Sequence, residues 1–160
     1  MTIIKNMGIK NIIFDFYGVL VNPADNSPIH ETIDLMLELK DHGVRVFGMT
    51  NLETENLKML IVKCPILRQL EDIICSGEVK ASKPNPKIYQ TLLERNKLTA
   101  EETLFIDDSI INVEGAMNLG LQAHHFMSPK QLENCLIDYG FFKNLPDQHD
   151  CCGSATCQHH

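Results

Sequence analysis

Short apolar runs alternate with amphipathic helical patterns along the whole chain of 160 residues. There are five such runs, and each is followed by a segment with helical spacing or a helix start signal. Buried strands that alternate with helices are typical of a parallel sheet covered on both faces. The sequence therefore predicts a three-layer α/β fold with a parallel five-stranded sheet and helices on both faces.

Turn and capping residues set the bounds of these predicted elements. The strands are predicted at residues 11–16, 44–50, 71–76, 103–107 and 121–127. The apolar face of the first helix is Ile29, Ile33, Met36 and Leu37, and Gly43 ends that helix. Further helices are predicted from about Leu52 to before Pro65, from Pro86 with Asn85 as its N-cap, from Ile110 to Leu119, and from Pro129 with Ser128 as its N-cap.

Composition and charge restrict the partners of the protein. Its 44% hydrophobic and 22% charged residues are ordinary globular values. A formal net charge of −7 at pH 7 opposes binding to a nucleic-acid backbone. The chain has no apolar run of membrane-spanning length, and "MTIIKNMGIKN" lacks the regions of a signal peptide. We expect a cytoplasmic protein that binds neither nucleic acid nor membrane.

The last residues of the chain differ from the rest in composition. We predict a single domain over residues 1–143 and a disordered tail over residues 144–160. The stretch "PDQHDCCGSATCQHH" contains cysteines and histidines, but it lacks the paired spacing of a structural zinc site and the apolar residues of a core. Cys64, Cys75 and Cys135 lie in apolar segments, so we expect them to be reduced core thiols.

Polar side chains gather where the predicted strands end. They are Asp15 after the first strand, Thr50 and Asn51 after the second, Lys83 in the loop after the third, and Asp107 with Asp108 after the fourth. Because ligands of open α/β sheets bind at the carboxyl ends of the strands, we expect one site there. Adjacent acids repel each other without a cation, which favours a metal over a simple N-cap role for Asp108. Ser109 and Asn112 either bond to these acids or face water.

The motifs that contain these residues resemble those of the haloacid dehalogenase superfamily. They are "IIFDFYGVL" with Asp15, "MTN" with Thr50 and Asn51, "ASKPNPKIYQ" with Lys83, and "LFIDDSIINVEGA" with Asp107 and Asp108. Their order and spacing agree from about Asn11 to Phe126. The last two motifs look most like the branch that contains small sugar-phosphate phosphatases and the phosphatase domain of soluble epoxide hydrolase. The resemblance implies a Rossmann-like fold.

The resemblance also implies a reaction: Mg²⁺-dependent hydrolysis of a phosphate monoester. Asp15 would attack phosphorus and form an aspartyl-phosphate. Thr50 and Asn51 would bind the phosphoryl oxygens, while Lys83 would neutralise the phosphate and hold the nucleophile. The implied Mg²⁺ ligands are Asp15, the main-chain carbonyl of Tyr17, and Asp108, with Asp107 beside them or behind them. Such a cation offsets the repulsion between a carboxylate and a phosphate dianion.

Tyr17 departs from the pattern of the phosphatases in this superfamily. They usually carry an aspartate there, which protonates the leaving oxygen and then activates water. A phenol, with a pKa near ~10, can donate a proton but is a poor base at neutral pH, and losing a positioned acid–base group costs about 10²–10⁴ in rate. We therefore expect slow turnover. The alternative is a catalytically impaired relative that binds metal and phosphate or a protein partner.

The sequence leaves little room for a cap domain over the site. Only "VNPADNSP" lies between Leu20 and Ile29, and one predicted helix and one strand fill the segment between Thr50 and Lys83. An open site suits a small or macromolecular phosphorylated substrate, or it requires a lid from a second copy of the chain. The stretch "DFYG", with its tyrosine, also resembles the first motif of the 2-haloacid dehalogenases. Those enzymes have a cap and lack the acid pair, so dehalogenation is the least favoured function.

Overall fold

The computed structural model describes residues 8–142, and within them five strands and six helices alternate along the chain. The strands are β1 (Asn11–Phe14), β2 (Arg45–Thr50), β3 (Asp72–Cys75), β4 (Thr103–Asp107) and β5 (Gln122–His125). The helices are α1 (His30–Asp41), α2 (Thr54–Lys63), α3 (Ser76–Val79), α4 (Pro86–Asn96), α5 (Ile110–Met117) and α6 (Pro129–Asp138). Short 3₁₀ turns cover Pro65–Gln69 and Ala100–Glu102.

All five strands pair in parallel, in the order β3-β2-β1-β4-β5. In the register, Phe14 of β1 lies opposite Gly48 of β2 and Ile106 of β4. The chain fills one side of β1 first and then returns to the other side, so the strand order reverses between β1 and β4. This is the point at which open α/β sheets bind ligands. The predicted three-layer Rossmann-like fold is confirmed.

The two faces of the sheet bury different side chains because strand residues alternate in direction. On one face, Ile12, Phe14 and Ile106 pack in a buried cluster with residues of α1, α2 and α6. On the other face, Ile13 and Phe105 pack in a second cluster with residues of α4 and α5. The sheet is therefore covered on both faces, and this holds its carboxyl edge in place.

The capping residues confirm two predicted helix starts. The side chain of Asn85 accepts a hydrogen bond from the Lys87 amide at 2.9 Å, and Ser128 Oγ accepts one from the Gln131 amide at 3.1 Å. The apolar face of α1 needs a correction, because Leu39 is fully buried and Leu37 is only half-buried.

One helix prediction was wrong in extent, and one short helix was not predicted. α5 ends at Met117, before the predicted Leu119, and the chain turns at Gly120 with φ +91°. The single-turn helix α3 was not predicted, because four residues that include a glycine carry no helical periodicity.

A cap domain is absent from the part of the chain that the structure describes. Residues 21–28 form turns held by β-bridges from Val21 to Tyr17 and to Pro28. Between Thr50 and Lys83 the chain forms only α2, a 3₁₀ turn, β3 and α3. Within residues 8–142, no helix combines the length and apolar character that crossing a bilayer requires. The predicted tail at 144–160 lies outside the described residues, and its disorder stays a prediction.

Candidate active site

Asp15 follows β1 directly and lies at the point where the strand order reverses. Its main-chain amide donates to the carbonyl of Ile106 in β4 at 3.0 Å, which extends the β1–β4 ladder by one residue. The residue is only 7% exposed. A carboxylate is costly to bury without a partner, so its surroundings have to supply one.

Lys83 supplies that partner and joins Asp15 to Asp107. Its Nζ lies 2.7 Å from Asp15 Oδ1, 2.9 Å from Asp107 Oδ2 and 3.2 Å from the carbonyl oxygen of Met49. An ammonium has three hydrogens, and here each faces an acceptor. Lys83 and Asp107 are 5% and 1% exposed. The sequence prediction that these three distant residues meet at one site agrees with this geometry.

Asn51 holds the main chain of Lys83. Its Oδ1 accepts from the Lys83 amide at 2.8 Å, and its Nδ2 donates toward the Lys83 carbonyl at 3.4 Å. The side chain was predicted to bind phosphoryl oxygens, but both ends of its amide are used to place the loop that carries Lys83. Thr50, with the same predicted role, is buried as the last residue of β2 and lies opposite Cys75 of β3. Phosphate binding by Thr50 and Asn51 stays a prediction.

Asp107 and Asp108 have different surroundings although they are adjacent. Asp107 is buried, and it also accepts from the main-chain amide of Ser109 at 2.9 Å and from Asn112 Nδ2 at 3.2 Å. Asp108 is exposed. Asp107 therefore accepts the bond at the start of α5, and the side chain of Asp108 is left for another role. Of the two residues with open roles, Asn112 bonds through its side chain and Ser109 through its main chain.

The three carboxylates form a group that fits a divalent cation. Asp15, Asp107 and Asp108 each offer an oxygen, and these oxygens lie within 4.8 Å of one another. Mg²⁺ takes oxygen ligands about 2.0–2.1 Å away, so carboxylates at this separation can share one ion after small adjustments. Gly18 makes the approach of Asp108 possible, because a Cβ on this residue would clash with the Asp108 carboxylate. Its φ of +90° also favours glycine.

Burial has the largest effect on the electrostatics of Asp15. It raises the pKa of Asp15 from 3.8 to about 7, since a buried carboxyl loses hydration of its charged form. The Lys83 ammonium opposes this rise in pKa, and the negative charge of Asp107 adds to it. Two carboxylates thus share one ammonium, and a bound cation would favour the ionised form of Asp15.

Tyr17 is turned toward the loop that follows β1. Its hydroxyl donates to Asn26 Oδ1 at 2.7 Å, and its ring packs at the edge of the buried cluster formed with α1. Asn26 has a left-handed backbone with φ 64°, which asparagine tolerates well. Sequence reasoning missed Asn26, although an asparagine in the turn-rich stretch "NPADNSP" was a signal for such a conformation.

Sequence reasoning missed further contacts behind and beside the site. Tyr89, fully buried in α4, donates from its hydroxyl to the carbonyl of Asn112 at 2.7 Å and so supports the residue that bonds to Asp107. His125 Nε2 lies 3.1 Å from the carbonyl oxygen of Asp108. This contact involves only the main chain of Asp108.

Known proteins share sequence similarity with much of this chain. The family model of the haloacid dehalogenase-like hydrolases matches residues 24–125. A sesquiterpene phosphatase of Aspergillus oryzae is 30% identical over 108 residues, and a phosphatase of Mycobacterium tuberculosis is 31% identical over 88 residues. These matches cover 63% and 54% of this chain and 55% and 41% of the two relatives. A drimenol cyclase of Aspergillus calidoustus is 27% identical over 96 residues, which are 60% of this chain and 18% of that protein. The chain therefore spans about half or less of these relatives.

Solved structures share the fold. An uncharacterized protein from Corynebacterium glutamicum has a TM-score of 0.66 and 23% identity, over 83% of this chain and 96% of that chain. A HAD-family enzyme from Bacteroides thetaiotaomicron, crystallised with magnesium and inorganic phosphate, has a TM-score of 0.65 and 20% identity, over 73% and 93% of the two chains. Since the family model also matches more than half of the sequence, this chain belongs to the haloacid dehalogenase-like hydrolases.

Proposed function

We propose that this chain hydrolyses phosphate monoesters in a Mg²⁺-dependent reaction through an aspartyl-phosphate on Asp15. The observation that carries the proposal is the buried contact of one ammonium, Lys83, with both Asp15 and Asp107. Two relatives that are named phosphatases support it. The fold neighbour that was crystallised with magnesium and phosphate supports the choice of ion.

The geometry suggests a role for each group. Lys83 bonds to Asp15 Oδ1 and holds the carboxylate that would attack phosphorus. The P–O bond to the leaving group then breaks, and that oxygen keeps the electron pair. Lys83 would offset the negative charge of the phosphoryl group in a buried site, where such an interaction is strong.

Asp15, Asp107, Asp108 and the carbonyl of Tyr17 would hold Mg²⁺. When bound, Mg²⁺ would neutralise charge on the carboxylates and the phosphoryl group.

Tyr17 favours a second candidate function. Tyr17 stands where the superfamily's phosphatases carry the aspartate that serves as acid and base. Its hydroxyl donates a hydrogen bond to Asn26. A catalytically impaired protein would still bind metal and phosphate, or a protein partner, at the same carboxylates. Dehalogenation is least supported, because three carboxylates would repel a carboxylate substrate.

The open site bears on the substrate. Without a cap in the described part of the chain, the phosphate must be carried on a small or macromolecular substrate that reaches the sheet edge, or a second copy of the chain must supply a lid. We expect the phosphate to be the recognised group, since the buried ammonium is placed for it.

Turnover of p-nitrophenyl phosphate with and without Mg²⁺ tests the proposal, with Asp15→Asn as the blank. Asp15→Asn keeps the size of the side chain and removes the nucleophile. We expect Mg²⁺-dependent release of p-nitrophenolate by the wild type alone. Equal rates for the two proteins, together with retained Mg²⁺ binding by the wild type, would favour the impaired relative.

A further inference from the structure

The proton donors near Asp15 already bond to acceptors of the protein itself. Tyr17 has one hydroxyl hydrogen, and it points to Asn26 Oδ1 at 2.7 Å. An amide oxygen can only accept, so the phenol must be the donor in this pair. A general acid has to lie within hydrogen-bond reach of the leaving oxygen with a hydrogen to give. The hydroxyl hydrogen of Tyr17 is used in its bond to Asn26 and is not free for a leaving oxygen.

The other nearby donors are engaged as well. The three hydrogens of Lys83 face Asp15, Asp107 and the carbonyl of Met49. The Nε2 of His125 faces the carbonyl of Asp108, which can only accept. Each of these groups would have to break a bond that holds the site together before it could protonate a substrate.

The loop beside Tyr17 contains one further acid, Asp25. Its Oδ1 accepts from both the amide and the hydroxyl of Ser27, at 3.0 and 2.6 Å. These bonds lower the pKa of Asp25, because they stabilise its ionised form. At neutral pH it has no proton to donate. In the described part of the chain, the groups next to Asp15 and on this loop thus supply no free acid for the leaving oxygen.

The need for such an acid depends on the leaving group. An alkoxide is about as basic as hydroxide, whose conjugate acid has a pKa near ~15.7, and it leaves poorly without a proton. A carboxylate leaving group has a conjugate acid near ~4, and a phosphate leaving group near ~6, so both leave as stable anions at neutral pH. A site without a free acid therefore distinguishes between these donors.

We propose that this site takes its phosphoryl group from activated donors, the acyl phosphates and phosphoanhydrides, rather than from alkyl phosphate esters. The inference rests on the aspartyl-phosphate chemistry of the proposed function, and it replaces alkyl esters by anhydrides as the preferred donors of the phosphoryl group. In the first step a carboxylate oxygen of Asp15 bonds to phosphorus, the bond from phosphorus to the leaving oxygen breaks, and the leaving group departs as an anion with the electron pair.

The second step returns the enzyme to its starting state. Water attacks the aspartyl-phosphate, the bond between phosphorus and the Asp15 oxygen breaks, and the carboxylate recovers the electron pair. The proton that water loses goes to the released phosphate, since Tyr17 does not accept it. This step has no positioned base, so the aspartyl-phosphate accumulates during turnover.

The test compares acetyl phosphate with ethyl phosphate as donors to the same protein in the presence of Mg²⁺. We expect an acid-quenched phosphoenzyme and phosphate release with acetyl phosphate, absent in Asp15→Asn. Tyr17→Asp introduces the missing acid and should raise the ratio of kcat/KM for ethyl phosphate to kcat/KM for acetyl phosphate by about 10²–10⁴.

Tyr17→Asp adds a carboxylate at a half-buried position, which could affect folding. Tyr17→Phe is a second test that adds no charge. If the hydroxyl gives no proton, removing it leaves the ratio of ethyl to acetyl phosphate turnover unchanged, and a fall in that ratio would overturn the inference. Wild-type turnover of ethyl phosphate at a rate close to that of acetyl phosphate would also overturn it. Failure of both donors to phosphorylate Asp15 would overturn the proposed function itself, and this inference with it.

Discussion

The two sides of the candidate site are held in different ways. On the nucleophile side, Asp15, Asp107 and Lys83 are buried and joined by ion pairs of 2.7 and 2.9 Å between elements far apart in the chain. On the leaving-group side, Tyr17 is half-buried and bonds to Asn26, nine residues away, in a loop whose residues 22–25 are exposed. The residues that would accept a phosphoryl group are held by contacts between distant parts of the chain. The residue beside the expected leaving group is held only by a contact within its own loop.

This difference shows which part of the chemistry depends on the fold. Charges that meet in a dry site must be preorganised, because each would be strongly destabilising without its partner. The loop that contains Tyr17 and Asn26 has no buried charges to pair. A tyrosine can therefore occupy position 17 without disturbing the carboxylates. The following predictions test whether the two sides are as separate as the structure indicates.

The largest effect is expected for Lys83→Met, which leaves Asp15 and Asp107 facing each other without a cation. Loss of one partner of a buried ion pair typically costs about 3–5 kcal/mol of stability. Loss of one charge-stabilising donor costs about 10²–10³ in kcat. Thermal unfolding and phosphate release from p-nitrophenyl phosphate measure the two effects.

The matched control is Lys87→Met, an exposed lysine in the first turn of α4. It should change neither quantity. Destabilisation by Lys83→Met should be larger at pH 8 than at pH 6, because at pH 6 the Asp15 carboxyl, whose pKa is raised to about 7, can take up a proton. Wild-type stability in Lys83→Met at both pH values would mean that the nucleophile side is not held by this ion pair.

The next largest effect is expected for Gly18→Ala, at the junction of the two sides. The new Cβ would clash with the Asp108 carboxylate, and φ +90° is strained for alanine. A residue held in such a backbone region costs about 1–3 kcal/mol. Mg²⁺ affinity, measured by calorimetry, should fall as Asp108 is displaced, while Gly43→Ala, with the same φ and open space around its Cβ, should keep Mg²⁺ affinity. Unchanged Mg²⁺ affinity in Gly18→Ala would remove Asp108 from the metal ligands.

The sequence predicted the nucleophile side better than the leaving-group side. Asp15 follows β1, Asp107 ends β4, and Lys83 lies in the loop before α4. Parallel strands bring such ends together. Asn26 and the side-chain role of Asn51 could not be predicted in the same way, because loop conformation and the choice of hydrogen-bond partner depend on tertiary contacts. The short helix α3 and the early end of α5 likewise left no periodic signal.

A smaller effect concerns Mg²⁺ binding at different pH. Burial raises the pKa of Asp15 to about 7, so this carboxyl is mostly protonated at pH 6 and mostly ionised at pH 8. Because Mg²⁺ binds the ionised form, its affinity should be about tenfold higher at pH 8. Titration calorimetry at the two pH values measures this difference. Without metal the sign is reversed: the folded chain holds the Asp15 proton more tightly than the unfolded chain, so stability falls as pH rises from about 4 to 7.

Asp15→Asn is the control for the pH dependence of Mg²⁺ affinity. It has no carboxyl to titrate at this position, so its weaker Mg²⁺ binding should vary little between pH 6 and pH 8. A wild-type affinity that is equal at the two pH values would show that the ion does not compete with the Asp15 proton.

The smallest effect is expected for Tyr89→Phe, which removes a hydroxyl behind the nucleophile side. The carbonyl of Asn112 would lose its 2.7 Å bond, and a buried hydrogen bond contributes about 0.5–1.5 kcal/mol. For a chain of this size such a loss lowers Tm by about 2–4 °C per kcal/mol. Activity should change by less than about tenfold, since the hydroxyl contacts a main-chain oxygen and no reacting group. Tyr139 directly follows α6, and Tyr139→Phe is the matched control for activity. A large loss of activity in Tyr89→Phe, without one in Tyr139→Phe, would mean that the bond from Tyr89 to Asn112 helps to fix the position of Asp107. The residues needed on the nucleophile side would then include Tyr89 in α4 as well as the three charged residues.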